Sequence, residues 1–129
     1  MGKLSPPLPT SIVLHRKRRT VELGYASGEP LELQAEYLRV FSPSAEVRGH
    51  GRGQEVLQWG KQDVGIERLE PVGNYALQLI FDDGHDTGIY SWEYLYQLGS
   101  EYQRNWHDYL NQLEQAGKSR DPAVQVLKL

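Results

Sequence analysis

Period-two alternation of apolar and polar side chains constrains this chain more than any other feature. Tyr75, Leu77, Leu79 and Phe81 recur at every second position, which predicts a strand with those four side chains inward. Asp82-Asp83-Gly84-His85-Asp86 follows, and Asp-Gly supplies the positive φ that a hairpin turn needs. Residues 87–90 are the expected return strand. The same alternation at 12–16 and 20–25, joined by Lys17-Arg18-Arg19, predicts a second hairpin with Ile12, Leu14, Val21, Leu23 and Tyr25 inward. Leu31-Glu32-Leu33 begins a further strand. Val64 and Ile66 alternate ahead of a turn at 70–74.

Elsewhere the period lengthens. Tyr37, Leu38 and Phe41 fall at helical spacing, and Ser42-Pro43 ends that short helix because the residue before proline leaves the helical region. Ser91 is placed to cap a helix bearing Trp92, Leu95 and Leu98. Ser100 and Gln103 form a capping-box pattern for a second helix, with Tyr102, Trp106, Tyr109, Leu110 and Leu113 on its buried side and Gly117 as its stop. The expected architecture is α+β: one antiparallel sheet of about five or six strands, a short internal helix and two C-terminal helices. A disordered arm is expected at 1–10, one domain at 11–117 and a flexible tail at 118–129.

The 129 residues suit a single domain with its own core. With no cysteine, this chain offers no disulfide, thiolate nucleophile or thiolate metal ligand. It has no signal-peptide pattern and no apolar run long enough to span a bilayer, so a cytoplasmic protein is expected. The net charge of −3 argues against nucleic acid as a partner. That charge is uneven, about +3 over 1–61 and −6 over 62–129, which leaves room for a local basic patch.

The least regular stretch, 44–60, reads as a long loop, and loops of that length tend to carry function. Within it Arg48, His50 and Arg52 alternate with Gly49, Gly51 and Gly53, a pattern that offers guanidinium groups and backbone N–H groups to an anion. The alternative is a solvated loop whose glycines permit tight turning. No Gly-x-Ser-x-Gly elbow and no phosphate loop are present, so an enzyme is not expected. None of the four histidines has His-x-x-x-His spacing. His50, His85 and Asp83 could nonetheless hold zinc or iron if their loops met, and His85 could equally serve only to hydrogen-bond its turn.

The segments Leu38-Arg39-Val40-Phe41-Ser42-Pro43-Ser44-Ala45-Glu46-Val47-Arg48-Gly49-His50-Gly51, Glu70-Pro71-Val72-Gly73-Asn74-Tyr75 and Phe81-Asp82-Asp83-Gly84-His85-Asp86-Thr87-Gly88-Ile89-Tyr90-Ser91-Trp92 resemble a small bacterial protein of the gamma-butyrobetaine hydroxylase-like N-terminal domain family. The resemblance spans roughly 10–112. It implies a domain that elsewhere precedes an iron- and 2-oxoglutarate-dependent hydroxylase or accompanies iron–sulfur carrier ATPases. It also implies a zinc site of three cysteines and a histidine, whose positions fall here on Ser42, Ser44, Val47 and His85. The expectation is a non-catalytic accessory or binding module that uses the 42–54 loop and the turn at 83–85. Ser42, Ser44, Arg48, His50, Arg52, Asp83 and His85 would engage a protein partner or a small anion, with no resident cofactor. The alternative is a metal-binding protein linked to iron or iron–sulfur handling.

Overall fold

The computed structural model describes residues 7–49, 53–127 and 129. The class is α+β, but the strands form two sheets instead of one. β1 (Pro9–His15), β2 (Thr20–Tyr25) and β3 (Leu31–Gln34) make an antiparallel meander. β4 (Ile66–Val72), β5 (Ala76–Phe81) and β6 (Ile89–Ser91) make a second. The chain leaves β3 directly into helix α1 (Ala35–Val40), and the one-turn helix α2 (Ala45–Arg48) follows. Extended structure resumes only at Ile66, so each meander closes its own ladder and β3 and β4 never pair.

What the backbone separates, the side chains rejoin. Val21, Leu23 and Leu33 of the first sheet lie in one buried cluster with Leu77, Leu79, Phe81 and Tyr90 of the second. Tyr37 and Leu38 of α1 fill it from between, and Leu95 and Leu98 of α3 (Trp92–Ser100) close it. Ser91 caps α3 as its sequence predicts, accepting the Tyr94 N–H at 3.0 Å.

Several local expectations are corrected. Tyr75 is not inward: it sits in the turn before β5 and is 61% exposed. β5 instead buries both faces, Ala76 and Ile80 on one side and Leu77, Leu79 and Phe81 on the other. The return strand begins at Ile89, because the turn is wide: the Phe81 N–H donates to the His85 carbonyl, and the Leu79 N–H to that of Gly88. Ser100 is the last residue of α3 and does not cap α4 (Tyr102–Ala116), whose N-cap is Glu101. Glu101 makes no side-chain cap. Leu110 is exposed, while Tyr109 and Leu113 face inward. Gly117, at φ 67°, ends α4 in the left-handed conformation that glycine adopts freely.

Just past α4, Ser119 and Arg120 bond back to the domain. The Gly60 and Gln62 N–H groups donate to the carbonyls of Ser119 and Arg120. The Arg120 guanidinium forms two bonds, 2.8 and 2.7 Å, with the buried Glu36 carboxylate on α1.

Candidate functional site

The end of α1, the start of α2 and the turn after β5 meet around His85. Ser42 follows α1 and is wholly buried, and His85 is 4% exposed. A carboxylate can only accept, so the ring assignment follows from its neighbours. Nδ1–H donates to Glu46 Oε2 at 3.0 Å, and Nε2 accepts from the Ser42 hydroxyl at 2.8 Å. Ser42 Oγ in turn accepts the Ser44 N–H. Ser44 caps α2 by accepting the Glu46 N–H, and its hydroxyl lies 2.6 Å from that of Thr87. Burial lowers the His85 pKa below the ordinary histidine value and the Arg39 charge adds to the effect, against the pull of Glu46.

A second group of charges locks the turn from the other side. Asp83 Oδ2 accepts from Arg39 Nε at 2.9 Å and from Lys61 Nζ at 2.8 Å. Its Oδ1 accepts the His85 N–H at 3.2 Å. Arg39 also donates to Gln58 Oε1. Burial works to raise the Asp83 carboxyl, but Lys61 and Arg39 outweigh it and hold the group below the usual carboxylate range. Arg39 is a residue the sequence reading missed. Its signal was a lone cation inside the apolar run 37–41, a place where a charge needs a partner.

Serine, histidine and glutamate thus stand in the order of a nucleophile, its base and an orienting acid. The chemistry stops there, because the Ser42 hydroxyl is fully enclosed and no carbonyl carbon can approach it. A tetrahedral metal fits no better. Two of the implied ligand positions hold neutral hydroxyls committed to hydrogen bonds, and the third is the apolar Val47. Both ring nitrogens of His85 are engaged as well. Hydrogen bonds tie these segments together.

Arg48 points away from this cluster. Its guanidinium lies over the Tyr94 ring and donates to the Tyr94 hydroxyl at 3.1 Å. It borders an open cleft of about 460 Å³, floored by Val40, Phe41, Val47, Leu57 and Tyr109, with Val56 half-exposed at the rim. Ser42, Ser44, Asp83 and His85 are therefore brought together, and Arg48 is set apart on the cleft. His50 and Arg52 lie outside the described residues.

The family model described as gamma-butyrobetaine hydroxylase-like, N-terminal, matches residues 12–96. Two NMR solution structures are similar over nearly the whole chain. One is 50% identical, with 97% of this chain and 98% of that chain covered and a TM-score of 0.82. The other is 46% identical, with 100% and 98% covered and a TM-score of 0.78. A crystal structure of a DUF971-family protein of unknown function from Acidithiobacillus ferrooxidans is 39% identical, with 72% and 93% covered and a TM-score of 0.60. No curated protein matches the chain.

Proposed function

Because the chain belongs to the gamma-butyrobetaine hydroxylase-like N-terminal family, with a structural relative of unknown function in the DUF971 family, we propose that it is a non-catalytic module that binds a partner protein. The observation that carries this reading is the open cleft beside a polar cluster whose own hydrogen bonds are already made. Val47 and Arg48, from the 42–54 segment, form one wall of that cleft. The turn at 83–85 is tied to the same segment through the Glu46–His85 bond. An apolar floor rimmed by Arg48, Glu55 and Gln58 suits an apolar side chain with polar flanks. That composition favours a protein segment over a small anion.

The test places a photo-crosslinker at position 112, which also lines the cleft, and asks for one specific adduct in native cell extract. Arg48→Ala combined with Val56→Asp should abolish the adduct while leaving the circular dichroism spectrum and melting temperature nearly unchanged. An adduct that persists in the double variant overturns the cleft as the docking face. Turnover of an ester or amide by the pure protein, lost in Ser42→Ala, overturns the non-catalytic reading.

A further inference from the structure

The solvent face of the first sheet carries a cluster unrelated to the cleft. Alternation along β2 sends Val21 and Leu23 into the core, so Thr20 and Glu22 face the other way. Glu22 pairs directly with Glu32 of β3, and Thr20 pairs with His15 of β1. Two like charges are thereby set opposite one another across the strands, an arrangement that is destabilising by itself. His15 Nε2 lies 3.0 Å from Glu22 Oε1. One ligand atom from each of His15, Glu22 and Glu32 falls within 4.8 Å of the others. A tetrahedral ion with bonds of ~2.1 Å holds its donors about 3.4 Å apart, so side-chain adjustments on the order of 1 Å would close the set.

Two further observations bear on this place. Arg18 now supplies the missing positive charge, with Nη2 2.6 Å from Glu32 Oε1 and 3.8 Å from Glu22 Oε1. Its side chain is 55% exposed and is free to swing into solvent. Beneath the carboxylates, Thr20 is 95% buried, with its hydroxyl turned toward the Glu32 carboxylate. A buried hydroxyl of this kind is a ready partner for a metal-bound water or for a reoriented carboxylate.

We propose that His15, Glu22 and Glu32 bind a divalent first-row transition ion such as Zn²⁺ or Co²⁺, and that Arg18 is the internal cation it displaces. One imidazole with two carboxylates favours these ions over Mg²⁺, which takes oxygen ligands and dehydrates reluctantly. The site is open and exchangeable, since it leaves coordination positions to water and does not link distant parts of the chain.

Calorimetric titration of tag-free protein with Zn²⁺ tests the proposal, with Mg²⁺ as the control and Co²⁺ as an NMR probe of position. One equivalent of Zn²⁺ should bind, and paramagnetic broadening by Co²⁺ should centre on His15, Glu22 and Glu32. His15→Ala and Glu22→Gln should each abolish binding. Arg18→Gln should tighten it by about tenfold or more, because the competing cation is gone. An absence of Zn²⁺ binding overturns the proposal. So do binding that survives His15→Ala, broadening centred on His85, and an Arg18→Gln variant that binds no better than the parent.

Discussion

His85 shows how one almost fully buried side chain can hold two loops together. Its Nε2 depends on the Ser42 hydroxyl, its one hydrogen-bond partner among the described residues. Ser42→Ala should therefore cost about 1–3 kcal/mol, the range for stranding a buried polar atom, and denaturant unfolding will measure it. The ring also confers a pH dependence. Its folded pKa lies below the ordinary value, so the unfolded chain takes up this proton first as pH falls. The stabilisation is complete above about pH 6.5 and is lost as pH drops through the folded pKa. Glu46, Asp83, Arg39 and Ser42 surround the ring, and Asp83, held below the usual carboxylate range by Lys61 and Arg39, keeps its charge there. The melting temperature should decline from pH 7 toward 5.5 in the parent and decline less in His85→Gln. An imidazole titration midpoint above 6.5 by NMR would contradict the assignment.

At the scale of elements, β5 is the strand on which the second sheet depends. It pairs on both sides and buries both faces, which neither β4 nor β6 does. Leu79 is completely enclosed, and Leu79→Ala should cost about 2–5 kcal/mol. Tyr75→Ala, four residues away but exposed in the turn, should leave the denaturation midpoint almost where it was. α1 depends on a different contact. Glu36 is buried on a helix of only six residues, and Arg120 from beyond α4 is its partner. Arg120→Ala leaves a carboxylate without its cation and should destabilise on the order of 3 kcal/mol, whereas Glu36→Gln with Arg120→Ala should recover part of that loss. A double-mutant cycle by thermal unfolding checks the coupling.

Across the whole molecule, two sheets that share no hydrogen-bonded edge are joined by one apolar cluster. Leu23 of the first sheet and Leu79 of the second belong to it together with Leu38 and Leu95 from the helices. Neither meander could keep its inner face dry alone, because three strands bury a face only against another layer. Unfolding should therefore be one cooperative step, with coincident far- and near-ultraviolet circular dichroism transitions. Protein treated with a chelator should show the same single transition, since hydrogen bonds and apolar packing hold Ser42, Ser44 and His85 together. Two separated transitions would mean that the sheets fold independently.

Much of the local structure was legible in the residues. Alternation located β1, β2 and most of β5, and helical spacing with Ser91 and Gly117 located α3 and the end of α4, because those signals act within a few neighbours. The resemblance carried by Phe81 to Trp92 and by the Ser42-Pro43-Ser44 segment marked the same two loops that meet around His85. Other features depend on partners remote in sequence. Whether six strands form one sheet or two is decided by where α1 and α2 direct the chain. The burial of Ser42, the pairing of Arg39 with Asp83 and the anchoring of Glu36 by Arg120 join residues 43, 44 and 84 positions apart. His15, Glu22 and Glu32 are unremarkable in sequence and become a set only through strand register. Short-range periodicity dictates which way a side chain faces along its own element, and only tertiary packing brings it to a partner elsewhere in the chain.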